Sequence, residues 1–171
     1  MKGYVQIYTG DGKGKTTAAL GLALRAAGAG LKVFISQFVK GMEYSEIKAL
    51  KKFEGDIEIR QFGRRCFIHE KPGEEDIKLA REGLEETRRK LDSGEYDLVM
   101  LDEANIAVHF DLFSVEELIE AIKSRPKNVE VVVTGRKAHP KLIEIADLVT
   151  EMKEVKHYYT AGVEAREGIE R

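Results

Sequence analysis

The chain is short of cysteine, of amide side chains and of long apolar runs, and each shortage excludes something. Cys66 is the one cysteine among 171 residues, so neither an internal disulfide nor a four-cysteine zinc site can form. No apolar run approaches the ~18 residues of a membrane span, and Met1 is followed at once by a strand-like segment. A soluble, cytoplasmic protein with no membrane partner is expected. The formal net charge is only −2, so there is no bulk basic field and no nucleic-acid partner is expected. Amides are limited to Gln6, Gln37, Gln61, Asn105 and Asn128, whereas charged residues reach 34% of the chain against a usual ~25%. Few deamidation-prone side chains with many charges is the thermophile pattern. Internal repeats, low-complexity stretches and linkers are absent too.

What is present is a globular composition. At 43% apolar the chain can build a hydrophobic core without disulfide or metal staples. Its length is that of one domain, by the rule of ~100–200 residues each, so residues 1–171 are read as a single domain.

Strands and helices alternate along it. Tyr4 to Thr9 is β-branched and aromatic, and stops at Gly10. Lys15 to Gly28 is apolar almost all round, which predicts a buried helix with little face left for water. Val33 to Phe38 predicts a second strand, Ser45 to Phe53 a short helix, and Ile57 to Phe62 a third strand. Gly73 to Ser93 carries an apolar stripe at Ile77, Ala80, Leu84 and Leu91, with a solvated charged face from Glu82 to Lys90. Leu98 to Leu101 is a short buried strand. Ser114 and Glu117 form a capping box ahead of Leu118, Ile119 and Ile122. Val129 to Thr134, Pro140 to Ala146 and Leu148 to Met152 predict strand, helix and strand. Such alternation with continuously apolar strands implies an α/β fold, a mostly parallel sheet covered by helices on both faces.

The chemistry concentrates at strand ends. Thr9-Gly10-Asp11-Gly12-Lys13-Gly14-Lys15-Thr16-Thr17 joins the first strand to the first helix. Glycines let successive N–H groups point inward as a nest for phosphate oxygens, and the helix start behind adds partial positive charge. Lys15, on what reads as an exposed loop, supplies a point charge to the phosphates, and the Thr16 hydroxyl can coordinate magnesium. The usual spacing wants glycine five positions before Gly14; Thr9 stands there and Gly10 is one later, so the loop is one residue tighter.

The second signal is Asp97-Leu98-Val99-Met100-Leu101-Asp102-Glu103, where Asp102 and Glu103 are placed to reach magnesium directly or through water. Thr134-Gly135-Arg136 ends another apolar strand, and Arg136 is either a phosphate ligand or a solvated loop arginine. His69, His109, His139 and His157 show no metal-ligand spacing and read as ordinary loop or surface residues; Cys66 reads as a buried or half-buried thiol.

The run GDGKGKTTAALGLALRAAG, then SQFVKG at Ser36 to Gly41, DLVMLDE, VVVTGRKAHPKLIEIADLVTEMKEVKH and AGVEAREGIE resembles the ATP:corrinoid (cob(I)alamin) adenosyltransferases of the single-domain P-loop type. The likeness spreads from Tyr4 to Glu170. It implies a P-loop NTPase-like (RecA-like) sheet, ATP and a corrinoid as substrates, and magnesium as cofactor. It implies attack of cobalt(I) on the 5′ carbon of ATP, with tripolyphosphate leaving and adenosylcobalamin formed. Gly10, Asp11, Gly12, Lys13, Gly14, Lys15, Thr16 and Thr17 become the triphosphate loop, holding the phosphates in the reverse sense from ordinary P-loop enzymes. Lys15 and Thr16 carry the reaction, Thr16, Glu103 and Asp102 the metal, and Arg136 a further nucleotide contact. A homodimer and a flavoprotein reductant are implied as partners.

Two features depart from the family. Members carry G-F-T-W after the third strand, where aromatics help remove the corrinoid's lower axial ligand. Here the stretch is Gly63-Arg64-Arg65-Cys66-Phe67-Ile68, leaving Phe67 and Ile68 as the candidate corrinoid contacts. Some members also have an N-terminal segment over the nucleotide, and this sequence begins at the first strand.

Other classes would use the same loop. An ATP hydrolase would use Glu103 to activate water, yet no arginine finger is identifiable. A thymidine-type kinase would need zinc-binding cysteines. A nucleotide sensor would bind ATP without turnover. The phosphate product separates them: tripolyphosphate, ADP or none.

Overall fold

The computed structural model of the chain describes residues 2–64 and 71–170. Six strands, β1 (Val5–Thr9), β2 (Val33–Phe38), β3 (Ile57–Phe62), β4 (Leu98–Asp102), β5 (Glu130–Thr134) and β6 (Leu148–Glu151), form one sheet in the order β3-β2-β4-β5-β1-β6. Every pairing is parallel, with Ile7 opposite Val133 and Ile35 opposite Met100. Parallel neighbours require crossovers, and the helices supply them: α1 (Lys15–Gly28), α2 (Ser45–Leu50), α3 (Glu74–Asp92), α4 (Ala104–His109), α5 (Val115–Ser124) and α6 (Pro140–Ile145). Consequently all strand C-termini share one edge, where α/β proteins bind ligands.

Alternation along the strands divides the core in two. Val33 and Ile35 of β2, Leu98 and Met100 of β4, and Val132 of β5 pack beneath α1 and α2. Phe34 and Phe38, Val99 and Leu101, and Val131 and Val133 point the other way, against α3, α4, α5 and α6. Period-two geometry sends the Asp102 side chain out with Leu98 and Met100, on the α1 side. The expected capping box opens α5: the Ser114 hydroxyl accepts from the Glu117 amide at 3.2 Å, and the Glu117 carboxylate accepts from the Ser114 amide at 2.7 Å.

The all-round burial expected of the first helix is not observed. Ala19, Ala23 and Ala26 are the buried apolar residues of α1, whereas Leu24 is 42% exposed. The reason is steric: a stripe of alanines lets the helix lie close on the sheet, and that turns the larger leucines away from it. β6 is an edge strand with Leu148 and Val149 both exposed, so only the inner strands are covered on both faces. α4 and a one-turn 3₁₀ helix at Tyr158–Ala161 are additions that periodicity did not reveal. Among the described residues no helix is long and apolar enough to cross a membrane.

Candidate active site

Four adjacent strands end the same way. Immediately after β1, β2, β4 and β5 the backbone enters positive φ, at Gly10 (93°), Val39 (52°), Glu103 (60°) and Gly135 (127°). For a side chain such as Val39 the left-handed region costs about 1–2 kcal/mol. Strain persists where surrounding structure fixes it, and it clusters at functional sites. Here it turns the chain sharply, so that the residues after each strand converge above one edge of the sheet.

Asp102, the last residue of β4, is fully buried and lies at the centre of a polar network. Its Oδ1 accepts from the Thr16 hydroxyl at 2.8 Å and from the Thr134 hydroxyl at 2.6 Å. Its Oδ2 accepts from Lys40 Nζ at 2.9 Å and from Gln37 Nε2 at 3.1 Å, and Gln61 donates to Gln37 in turn. Burial by itself would raise the Asp102 pKa; the Lys40 charge and these hydrogen bonds outweigh it and hold the carboxyl below its usual range. Because Thr16 spends its proton on Asp102, an Oγ1 lone pair remains for another ligand.

The glycine-rich loop lies against the exit of β6. The Gly12 amide donates to the Met152 carbonyl at 2.7 Å, so that N–H already has a protein partner. A Cβ on Gly12 would come within 2.7 Å of the same oxygen, which explains glycine there. Lys15 is not on an exposed loop as expected: it is 7% exposed, and its Nζ donates to the Gly12 carbonyl at 2.7 Å. Burial lowers its pKa, with Glu103 opposing and Arg136 reinforcing. Lys13 projects outward to the C-terminal segment, donating to Tyr158 Oη at 2.9 Å, to the Ile169 carbonyl at 3.2 Å and to Glu170 Oε1 at 2.7 Å.

Gly12 to Thr17, Glu103 and Arg136 line one cavity of about 1140 Å³, joined there by Leu20, Lys40 and Phe110. Asp102 lies beneath this floor rather than facing it. Glu103 keeps its carboxyl partly accessible; burial raises its pKa, Lys40 counteracts and Asp102 adds to the rise. Arg136 is exposed and follows Gly135, whose carbonyl accepts from the buried Asn105 side chain at 2.9 Å. Thr16 and Glu103 are hard oxygen donors. Among the described residues no group of three or more His, Cys, Asp or Glu could hold a metal by itself. That partial set fits magnesium, which binds through one or two protein oxygens plus substrate phosphates and water. Phe67 and Ile68, with Cys66 and His69, lie outside the described residues.

Two residues given no role by sequence reasoning belong to the site. Lys40 follows the strained Val39, and His157 lines the cavity while its Nδ1 accepts from the Tyr159 amide at 3.1 Å. Both sit inside segments that carried the family likeness, SQFVKG and EMKEVKH, and that was the available signal. His109 and His139 have local tasks, beside Lys137 and capping α6 respectively.

A family model described as ATP:corrinoid adenosyltransferase BtuR/CobO/CobP matches residues 1–171. A corrinoid adenosyltransferase of Escherichia coli (strain K12) is 37% identical over 169 residues, which are 99% of this chain and 86% of that protein. The corrinoid adenosyltransferase CobA of Salmonella typhimurium (strain LT2) is 36% identical over 169 residues, with the same 99% and 86% coverage. One from Pseudomonas aeruginosa is 35% identical over 170 residues, 99% of this chain and 84% of its own length. With a P-loop, a buried aspartate and an arginine turn meeting at one sheet edge, and with the family matched from end to end, this chain belongs to the ATP:corrinoid adenosyltransferases.

Proposed function

We propose that the strand-end cavity binds ATP with its triphosphate on the Gly10 to Thr17 loop, whose Gly12 to Thr17 part lines the cavity, and presents the 5′ carbon to the cobalt(I) of a corrinoid. The family activity is transfer of the 5′-deoxyadenosyl group to the corrinoid with formation of adenosylcobalamin. The observation that carries the residue-level reading is the convergence of the glycine-rich loop, Glu103 and Arg136 on one cavity. The cobalt(I) electron pair forms the bond to C5′, the C5′–O5′ bond breaks, and tripolyphosphate departs with the electron pair of that broken bond. Cobalt is itself the nucleophile, so no general base is required. The protein's part is to orient C5′ and to neutralise the leaving group.

Thr16 and Glu103 hold magnesium in this reading, and Asp102 acts by orienting Thr16. When bound, magnesium shares the charge of the departing tripolyphosphate. Lys15 and Arg136 add fixed positive charge to the cavity lining. Phe67 and Ile68 remain the candidates beneath the corrin. A homodimer, a flavoprotein reductant and a cytoplasmic location belong to the same reading and rest on the family resemblance.

The test is kinetic. Lys15→Met keeps the aliphatic bulk of a buried side chain while removing its charge. It should cut kcat/KM with pre-reduced cobalamin by about 10²-fold or more, with an unchanged circular dichroism spectrum. Near-native turnover would remove the triphosphate from this loop. Phe67→Ala should cripple reaction from cobalt(II) with a mild protein reductant, and do much less harm once cobalt(I) is made chemically. Equal losses in the two assays would assign Phe67 to packing or binding.

A further inference from the structure

Lys40 has no part in the family reading given above, yet its ammonium sits among the residues assigned to the metal. Lys40 Nζ is 2.9 Å from Asp102 Oδ2, 3.3 Å from Thr16 Oγ1 and 4.0 Å from Glu103 Oε1. The side chain is 18% exposed, so the charge is largely withdrawn from bulk water.

Its placement is built in by the backbone on both sides. Val39 holds φ 52°, an unfavourable value for a β-branched residue, and so turns the chain directly ahead of Lys40. Behind it, the loop is pressed against the segment after β3. A Cβ on Gly41 would lie 2.2 Å from the Gly63 carbonyl oxygen, and one on Gly63 would lie 2.4 Å from the Lys40 amide nitrogen. Lysine on a surface loop would be free to trail into solvent. This one is aimed inward by a strained residue and a backbone contact that only glycine permits.

An ammonium at those distances and a divalent cation on Thr16 and Glu103 cannot share the space. The two positive charges would stand within a few ångströms, and with Lys40 and Glu103 only 18% and 20% exposed their repulsion is stronger than in bulk solvent. We propose that Lys40 is a resident, displaceable countercation: it occupies the cation position in the nucleotide-free protein and keeps divalent metal out until the triphosphate arrives. Asp102 and Glu103 bring the negative charge of the site, and Lys40, the cation in contact with Asp102, adds to Lys15 and Arg136 in offsetting it. The free site is therefore a weak metal site, and the charges of a bound triphosphate restore the attraction. Metal entry becomes coupled to nucleotide entry, because each favours the same arrangement of Lys40. The inference rests on the assignment of Thr16 and Glu103 to the metal, and extends it to a residue that positions the charge instead of touching the reacting atoms.

Mn²⁺ binding followed by electron paramagnetic resonance reads this without turnover. Lys40→Met and Lys40→Gln should each bind Mn²⁺ in the absence of nucleotide on the order of tenfold or more tighter than the parent protein. Because Asp102 loses its counterion in both, Mn²⁺ should also raise their melting temperatures by more than it raises the parent's. Lys40→Gln retains a donor for Asp102 and serves if Lys40→Met fails to fold. Thr16→Ala added to either variant should abolish the gain. Unchanged or weaker nucleotide-free Mn²⁺ binding by the Lys40 variants, with Thr16-dependent binding of Mn²⁺ and ATP intact in the parent, would overturn this inference alone. Binding of Mn²⁺ with ATP that ignores Thr16→Ala would overturn the metal assignment, and the inference with it.

Discussion

Asp102 and Glu103 are neighbours of the same chemical type, and the fold gives them opposite tasks. Asp102 is sealed beneath the cavity with donors on both oxygens, whereas Glu103 turns into the cavity on a left-handed residue. Asp102→Ala should lower stability by about 3 kcal/mol, because it strands Lys40 and leaves the Thr16 and Thr134 hydroxyls without their acceptor. Glu103→Gln should change stability by less than about 1 kcal/mol, since burial already disfavours its charge. It should nonetheless raise the magnesium concentration for half activity several-fold. Denaturant titration alongside metal titration separates the two; a large stability loss in Glu103→Gln would show that its carboxylate is structural. The pair was legible in sequence as acids ending an apolar strand, but their division was not. Which of two adjacent residues faces inward depends on the pleat, and on the positive φ of Glu103 that no propensity favours.

Among the elements, the inner strands were legible as continuous apolar runs and α3 by its apolar stripe. α3 runs over Glu74–Asp92 where its stripe predicted, and β2 and β3 match their predicted bounds. α4 escaped because its six residues follow Glu103 without a gap, and its start has no side-chain cap to read. The α1 leucines misled for a different reason, since composition cannot say that alanines would take the sheet. Val39 is the element-level anomaly. Val39→Gly relieves about 1–2 kcal/mol of left-handed strain and loses chain stiffness and partial packing of similar size. Thermal melts should therefore place it within about 1 kcal/mol of the parent, and a loss of several kcal/mol would mean that Val39 is held by packing instead of strain.

The tie between β3 and α3 carries a pH dependence. Burial would raise the Glu58 pKa, but hydrogen bonds from Tyr96, Lys90 and Arg60 hold it at about 2 against an ordinary 4.5. A depressed carboxyl contributes stability above the unfolded value and loses it as pH falls through the folded one. Glu58→Gln should thus cost on the order of 1 kcal/mol at neutral pH after solvent screening, and almost nothing near pH 2. A gap that persists unchanged at pH 2 would refute the assigned cause.

At the scale of the whole molecule, the chain closes on itself around the site. Residues near the C-terminus return to the glycine-rich loop, where Glu170 accepts from Lys13 and from Tyr158, and Arg166 pairs with Glu170. Sequence showed these segments only as motif likeness, because contacts across more than 140 residues leave no periodic trace. Lys13 and Arg166 are exposed while Glu170 is half-buried beneath them, so Glu170→Gln should lower the melting temperature only slightly. Its expected effect is on KM for ATP, through a loosened loop, and a markedly lowered melting temperature with unaltered KM would place the contact in folding. What leaves when ATP reacts identifies the reaction. Incubating the protein with ATP, magnesium and chemically reduced cobalamin, and resolving the phosphates by ³¹P nuclear magnetic resonance, tests it most directly. Tripolyphosphate accumulating in step with adenosylcobalamin is the predicted result; ADP and inorganic phosphate with unmodified cobalamin would contradict it.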